Sequence, residues 1–252
     1  MVEAGIYAIR NQQAVETNIA KQEQEFDTFR GKLLDTFPQE EHASLTWAYD
    51  TARKAHGSKK RKSGQLYFGH VIAVTRIAIE EYGIKDPALA KALLLHDVGE
   101  DATLLDLDIT KMPYDDVEKD GEIVYGWRSS ILQKLPAHIG QEATEIFITL
   151  TRPQVNGIDI HTKEQATKKY FQYLEASPLF VLAKSPDVLD NVRTLRYFDE
   201  EKQNEKIELV QKIYIPLFQQ ELPEDISKYI VGQLEIAIDN IRAEQVNAHL
   251  RD

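Results

Sequence analysis

Apolar residues recur at intervals of three and four along most of the chain, and the alternation typical of strands is weak. Residues 40–56 place Leu45, Ala48 and Ala52 on one helical face, and Gly57 supplies a stop. Residues 68–83 continue the pattern as a second helix. The spacing therefore predicts an all-α fold, in which amphipathic helices pack their apolar faces together.

A third helix is expected to be central. Asp86 and Pro87 suit the N-cap and first position of a helix that reads ALAKALLLHDVGED. This segment is apolar nearly all round at 92–95, which predicts burial. Loops are expected where Pro and Gly interrupt the pattern, at 103–124 and 151–161. Further helices are predicted at 127–135, 140–150, 163–176, 201–220 and 223–247. The Ser185-Pro186 pair starts or kinks another helix, which continues through Leu195.

A length of 252 residues suits one large domain. We expect a polar N-terminal extension at 1–25 and a single domain at 26–252, with a variable insertion at about 103–165. There is no basic segment followed by an apolar run at the N-terminus, and no apolar stretch approaches about 18 residues, so we expect a cytoplasmic protein without a membrane span. The pattern does not predict an oligomeric state.

The amino-acid composition argues against several classes of function. The absence of cysteine excludes a thiolate nucleophile and a Cys-ligated zinc site. A net charge of −11 argues against sequence-independent nucleic-acid binding, which relies on clustered Lys and Arg. One basic island, Lys59-Lys60-Arg61-Lys62, is either a solvated loop or a site for an anionic small molecule.

The segment from His96 to Asp101 places four ionisable groups directly after a run of leucines. On a continued helix, Glu100 lies four positions after His96, and Asp101 lies four after Asp97. Burying such groups without partners costs several kcal/mol each. A divalent cation bound by imidazole and carboxylate resolves that conflict. The alternative is a helix end that frays into solvent with its acids exposed.

Two further features carry candidate chemistry. Asp187, Asn191 and Thr194 share one helical face at spacing i, i+4, i+7, beside Asp190. His70 follows the basic island in the segment RKSGQLYFGH. Taken separately, each has a plain alternative: an ordinary polar helix face for the first, and a structural histidine near a helix start for the second.

Together these segments resemble the hydrolase domain of RelA/SpoT-type alarmone enzymes and the stand-alone small alarmone hydrolases, within the HD phosphohydrolases. The matching pieces are AxxxH followed by RKSG, then YFxH, ALLLHDVGED and KxxDxLDNxRTL, over residues 45–101 and 180–220. The resemblance implies an HD-domain helical bundle with additional N- and C-terminal helices. It implies hydrolysis of guanosine tetra- or pentaphosphate, (p)ppGpp, to GDP or GTP and pyrophosphate, and it does not imply alarmone synthesis.

Carried over residue by residue, the resemblance assigns three sets of roles. His70, His96, Asp97 and Asp187 would hold a divalent metal, and the resemblance implies Mn²⁺. Glu100 and Asp101 match the catalytic acidic pair. The substrate contacts would be Arg61, Lys62, Ser63, Asn191 and Thr194.

Some positions depart from the family's pattern, and two other functions stay open. Gly99, Ala102, Leu66 and Val71 replace usual residues, Pro186 could shift Asp187, and the region about 103–165 matches poorly. One alternative is an HD-type nucleotidase or phosphatase that acts on another nucleotide. The other is a catalytically weak nucleotide-binding regulatory module. An intact set of ligands and acids argues against the second.

Overall fold

The computed structural model describes residues 2–98, 117–119, 122–124, 127–151, 154–155, 158–159 and 177–250. Side chains are described at 18–98, 131–151 and 177–250. The helices are α1 Val2–Thr36, α2 His42–His56, α3 Phe68–Arg76, α4 Pro87–Leu95, α5 Trp127–Lys134, α6 Pro136–Ile139, α7 Gln141–Leu150, α8 Pro178–Arg193, α9 Glu200–Leu209, α10 Ile215–Glu221 and α11 Glu224–His249.

The predicted all-α fold is confirmed. Short 3₁₀ turns at Gln39–Glu41 and Leu195–Tyr197 and π-helical segments at Ile77–Glu81 and Val210–Tyr214 join or extend the helices. Strands in the described part of the chain form two small antiparallel ribbons inside the predicted loops. They are β1 Val117–Lys119 with β2 Glu122–Val124, and β3 Gln154–Val155 with β4 Ile158–Asp159.

The central helix α4 begins as predicted, but it ends earlier. The Asp86 carboxylate accepts hydrogen bonds from the backbone N–H groups of Ala88 (2.8 Å) and Leu89 (3.2 Å), with Pro87 in the first turn. The helix ends at Leu95, so the expectation that it continues through His96 and Asp97 is wrong. These two residues form a turn instead, and the remainder of the predicted segment, 99–101, lies outside the described residues.

Helix α8 begins at Pro178, so the Ser185-Pro186 pair lies within this helix and does not start it. Ser177 caps it through a hydrogen bond from the backbone N–H of Leu179, and Pro186 lies inside the helix. A proline has no N–H for the carbonyl of Leu182, four residues earlier. The Ser185 hydroxyl donates to that carbonyl at 2.9 Å, which satisfies it and allows the helix to continue to Asp187.

Two apolar clusters form the interior. The first packs side chains of α1 to α4 and α7, and includes fully buried Leu93, Leu94 and Leu95. The second packs α8 against α9, α10 and α11. Phe180 and Leu182 of α8 touch both clusters, so this helix joins the two halves. Burial of each leucine contributes about 1.5–3 kcal/mol, which fixes α4 and α8 as the frame for polar groups at their edges.

Helix α1 runs without interruption from residue 2 to residue 36, and it buries Phe26, Phe29 and Leu33. The expected division between residues 25 and 26 therefore falls within one helix, and the domain division stays a prediction. Among the described residues, no helix combines the length and the apolar character needed to cross a membrane. The predicted helix at 163–176 lies outside the described residues.

Candidate metal centre

His70 enters the site from the first turn of α3. Its side chain is 2% exposed, and both of its ring nitrogens face carboxylates. Nε2 lies 3.2 Å from Asp187 Oδ1 and 3.4 Å from Asp97 Oδ2, while Nδ1 lies 2.6 Å from Asp190 Oδ2. The ring is therefore held on both edges.

His96 and Asp97 enter from the turn that ends α4. His96 Nδ1 lies 2.7 Å from the Leu93 carbonyl, which can only accept, so Nδ1 carries the proton. In a continued α-helix that carbonyl would receive the backbone N–H of Asp97. The imidazole and, at 3.5 Å, the backbone N–H of His96 donate to it instead, which accounts for the early helix end. As a result Nε2 of His96 presents a lone pair to the centre, 3.3 Å from Asp97 Oδ2.

Asp187 comes from the third element, α8. Its Oδ1 lies 3.2 Å from His70 Nε2 and 3.9 Å from His96 Nε2. Lys184, one turn earlier, donates to Oδ2 at 2.6 Å, and Asn191, one turn later, donates to Oδ1 at 2.6 Å. Pro186 has not moved Asp187 away from the two histidines.

The donor set fits a divalent cation. One ligand atom from each of His70, His96 and Asp97 lies within 4.8 Å of the others, and Asp187 Oδ1 approaches both rings. Bonds of about 2.1 Å to one ion separate neighbouring ligand atoms by about 3.0–3.4 Å. The N–O distances here, 3.2 to 3.9 Å, need little adjustment. Nε2 of His96 is buried and has no hydrogen-bond partner among the described residues, which is costly unless a ligand occupies it.

Opposite charges stabilise one another inside this cluster. Burial would lower the pKa of His70, but the surrounding carboxylates outweigh it and hold that pKa well above its usual value. Burial also opposes the charged form of His96, whose pKa Asp97 nevertheless raises. Burial would raise the pKa of Asp97, but His96 and His70 hold it well below the usual value. The pKa of Asp187 is lowered against burial, first by the Lys184 ammonium.

An open cavity of about 150 Å³ adjoins the cluster. The four convergent residues line it together with Tyr67, Lys184 and Asn191, and Leu150 and Ala183 form its apolar wall. It therefore joins a cationic amine and an amide to the histidine–aspartate cluster, a combination suited to an anionic, hydrogen-bonding ligand.

Comparisons with known proteins agree with this geometry. A GTP pyrophosphokinase of Streptomyces antibioticus is 32% identical over 170 residues, which are 68% of this chain and 17% of that protein. A guanosine-3′,5′-bis(diphosphate) 3′-pyrophosphohydrolase of Aquifex aeolicus is 31% identical over 190 residues, 74% of this chain and 22% of that protein. The resemblance to RelA/SpoT-type enzymes is confirmed. The chain spans about a fifth of the length of these relatives.

A solved structure of a metazoan ortholog of SpoT, described as hydrolysing ppGpp and acting in starvation responses, superposes with a TM-score of 0.55. Sequence identity is 19%, and the match covers 83% of this chain and 97% of that one. At this identity the likeness concerns the fold, and it confirms the helical architecture expected from the RelA/SpoT-type resemblance. No protein-family model matches the chain.

The structure brings together some of the residues that the RelA/SpoT-type resemblance assigns to substrate. Asn191 lines the cavity, and Arg61 donates to Asp190 (2.8 Å) and to Asn191 (3.0 Å) at its edge. Others point elsewhere in the described structure: the Lys62 ammonium lies 4.6 Å from the Phe198 ring centre, and the Ser63 hydroxyl is 3.3 Å from Gln65.

Thr194, another residue that the RelA/SpoT-type resemblance assigns to substrate, lies at the end of α8. The Thr194 hydroxyl donates to the carbonyls of Asp190 and Asn191 and closes the end of α8. Its described contacts are thus with its own helix and not with the cavity. Glu100 and Asp101 lie outside the described residues.

Three side chains that contact the cluster received no role from the sequence. Tyr67 donates its hydroxyl to Asp97 Oδ2 at 2.8 Å, Lys184 donates to Asp187, and Asp190 bonds His70. Each stands three residues from a residue of the histidine–aspartate set, on the same helical face or at a helix start. That spacing, applied outward from each RelA/SpoT-type ligand position, is the signal that could have found them.

Proposed function

We propose that this chain is a metal-dependent phosphohydrolase that removes pyrophosphate from the 3′ position of guanosine tetra- or pentaphosphate. The observation that carries the proposal is the convergence of two imidazoles and two aspartates around the buried, unpartnered Nε2 of His96. The names of the Aquifex relative and of the metazoan SpoT ortholog, one a 3′-pyrophosphohydrolase and the other a ppGpp hydrolase, support the choice of substrate. We propose the cytoplasm as the location of the protein.

His70, His96, Asp97 and Asp187 would hold the metal, and we propose Mn²⁺, which accepts both imidazole and carboxylate ligands. When bound, such an ion lowers the pKa of a coordinated water and neutralises phosphate charge. Tyr67 holds one Asp97 oxygen, and Lys184 holds one oxygen of Asp187. These hydrogen bonds fix the direction in which each carboxylate presents its free lone pairs.

Glu100 and Asp101 follow the turn that carries His96 and Asp97, so the chain places two further carboxylates within a few residues of the centre. We propose that one of them orients the attacking water and accepts its proton, and that it later protonates the leaving group. Glu100 and Asp101 are not needed to complete the proposed ligand set, which leaves them available for proton transfer.

We further propose that the cationic groups beside the cavity neutralise the phosphates of the nucleotide. Lys184 lines the cavity, and Arg61 lies at its edge. A guanidinium recognises phosphate oxygens in pairs, whereas an ammonium acts as a point charge. Asn191, with its amide in the cavity lining, is suited to a base or ribose contact. Lys62, Ser63 and Thr194 stay candidate substrate contacts from the resemblance alone.

A nucleotide panel tests the proposed function. The full chain is incubated with Mn²⁺ and guanosine tetraphosphate, GTP, GDP, deoxynucleoside monophosphates and a nicotinamide dinucleotide phosphate, and products are separated by anion-exchange chromatography. We expect GDP and pyrophosphate from guanosine tetraphosphate. Preferential release of inorganic phosphate from another nucleotide would favour a general nucleotidase, and binding without products would favour a regulatory module.

Two variants separate metal binding from chemistry. His96→Ala should lose Mn²⁺, measured by elemental analysis after gel filtration, because it removes the unpartnered Nε2. Glu100→Gln should retain Mn²⁺ and lose turnover, since an amide cannot accept the proton. His138→Ala is the matched control: this exposed ring stacks on Trp47 away from the centre, and the variant should keep metal and activity. Unchanged metal content in His96→Ala would contradict the site.

A further inference from the structure

Asp190 holds the edge of His70 that faces away from the cluster. Its Oδ2 lies 2.6 Å from His70 Nδ1, and both side chains are nearly buried, at 10% and 2% exposure. An ionised carboxylate can only accept, so the shared proton lies on Nδ1. The opposite nitrogen, Nε2, then faces Asp97 and Asp187 with the ring fixed in one plane.

The spacing on α8 makes this arrangement possible. Asp187 and Asp190 are three residues apart, so their carboxylates lie on one face of the helix about one turn from each other. The His70 ring fits between them, with Asp187 Oδ1 3.2 Å from Nε2 and Asp190 Oδ2 2.6 Å from Nδ1. A shift of either carboxylate would rotate the ring that the other one holds.

Arg61 compensates the charge of Asp190. Its Nη1 donates to the same Oδ2 at 2.8 Å, and its Nη2 donates to Asn191 Oδ1 at 3.0 Å. The arginine side chain is only 14% exposed, so the pair has left bulk water and each charge needs the other. Asn191 in turn donates to Asp187 Oδ1, so one arginine bonds the groups that orient two members of the cluster.

The loop that carries Arg61 is itself closed by hydrogen bonds. The backbone N–H of Arg61 donates to Gln65, and that of Gly64 donates back to Arg61, both at 2.9 Å. Gly64 has φ of 83°, a conformation that favours glycine, which permits the tight return. Lys60 and Leu66 pair across the loop as an isolated bridge. The guanidinium is therefore presented from a defined turn.

We propose that Asp190 is a positioning residue that orients His70 in the candidate metal centre, and that Arg61 holds Asp190 and so links the basic loop to that centre. The inference rests on the proposed function, because it concerns the same cluster. It gives Arg61 a structural contact in addition to the substrate contact expected from the resemblance. It also gives a role to Asp190, which is not one of the four proposed ligands.

Mn²⁺ alone is the probe. The full chain is stripped with a chelator and titrated with Mn²⁺ by isothermal calorimetry, for the wild type, Asp190→Ala, Asp190→Asn and Arg61→Ala. Loss of a partner that orients a ligating histidine lowers metal affinity by about 10–100-fold, the change expected for Asp190→Ala. Asp190→Asn should lower the Mn²⁺ affinity less, because an amide oxygen still accepts a hydrogen bond from Nδ1–H of His70. Arg61→Ala should weaken binding in the same direction, with the Asp190 carboxylate less firmly held.

The control is Glu81→Gln. Glu81 pairs with Arg193 of α8 through two hydrogen bonds of 2.8 and 2.9 Å, so this variant also removes a partly buried carboxylate–arginine pair along the same helix. It touches no imidazole of the cluster, and its Mn²⁺ affinity should stay within about twofold of the wild type, a change of about 0.4 kcal/mol. Loss of affinity in the control equal to that of Asp190→Ala would overturn the proposal.

A second readout does not depend on turnover or on metal. The ¹⁵N shift of His70 Nδ1 should report its hydrogen bond to Asp190 in the stripped wild type, and Asp190→Ala should change that shift. Wild-type affinity in a folded Asp190→Ala variant, or unchanged ring shifts, would overturn the positioning role alone. Failure of the wild type to bind Mn²⁺ would overturn the proposed metal centre with it, so the two failures are distinguishable. Asp190→Asn keeps the test available if the alanine variant does not fold.

Discussion

His56 at the end of α2 should make the stability of this protein depend on pH in mildly acidic solution. The ring is 5% exposed, stacks on Tyr67 with ring centres 4.8 Å apart, and has a buried Nε2 without a hydrogen-bond partner among the described residues. Burial lowers the pKa of His56 from 6.5 to about 4; Asp97 opposes this, while nearby cations such as Lys59 add to it. The folded protein therefore keeps this ring neutral.

Protonation of His56 stabilises the unfolded chain relative to the folded protein. Below its ordinary pKa of 6.5 the ring gains a proton in the unfolded chain, whereas in the folded chain it does so only near pH 4. The contribution of His56 is thus complete above about pH 6.5, and it is lost as the pH falls toward about 4. The full difference corresponds to about 3 kcal/mol, of which about 2 kcal/mol is lost between about pH 7 and about pH 5.

Substitution by phenylalanine isolates this contribution. His56→Phe keeps an aromatic ring against Tyr67 and has no proton to gain. Urea unfolding of both proteins at about pH 7 and about pH 5 gives four free energies of unfolding. The fall in stability between the two pH values should be smaller in the variant by about 2 kcal/mol. A chelator is present throughout, so that loss of metal at low pH does not enter the comparison.

His138→Phe serves as the control, because His138 also stacks on an aromatic ring, that of Trp47, but is exposed. Its pH dependence should match the wild type. Equal slopes for wild type and His56→Phe would refute the reasoning and would mean that the folded chain protonates His56 as readily as the unfolded chain does. A confirmed neutral His56 would favour a packing role at the end of α2 over a cationic contact with substrate phosphate.

Other predictions concern the frame of the site, and urea unfolding measures each. Ser185→Ala should cost about 1–2 kcal/mol, because the Leu182 carbonyl loses its donor beside Pro186; an unchanged stability would mean that water replaces the hydroxyl. Glu41→Gln should cost about 1–3 kcal/mol, because the buried Lys91 loses the carboxylate that it contacts at 2.8 Å, and a neutral effect would contradict that pairing. Asp86→Ala should lower the free energy of unfolding by about 1 kcal/mol through loss of the α4 cap, whereas Asp86→Asn should retain most of the capping contribution.

The sequence predicts most of the helical frame because apolar spacing determines which faces are buried. Helices α2 and α11 follow the predicted segments closely, and α4 begins where the sequence predicts. The differences lie where side-chain hydrogen bonds override that spacing. Helix α8 starts before Pro186 because the Ser185 hydroxyl replaces the missing backbone donor, and α4 ends early because the His96 ring bonds the Leu93 carbonyl. Periodicity carries no information about either contact.

The sequence predicts which residues form the candidate site better than it predicts the contacts among them. The four proposed ligands converge because α3 packs against both α4 and α8, and the motifs that predict them lie on or beside these helices. Lys62 and Ser63 show the opposite outcome: their described contacts are with Phe198 and Gln65, and no pattern in the loop distinguishes them from Arg61. Loop direction depends on contacts with distant segments, such as that between Arg61 and Asp190, which are 129 residues apart.

Sequence motifs identify the ligands of such a centre, but residues one helical turn away set the orientation of the ligand side chains. Tyr67 precedes His70 by three residues and holds Asp97, Lys184 precedes Asp187 by three, and Asp190 follows it by three. A side chain at i±3 projects from the same face, so packing that brings ligands together also brings these partners together. The ligand atoms of this cluster need shifts of only a few tenths of an ångström, so what decides whether they can bind an ion is the direction of their lone pairs. Relatives that share the four ligands can therefore differ most in metal affinity at these partner positions. In this chain Asp190 holds the His70 ring on the edge that faces away from the cluster, and a single substitution there should lower the metal affinity.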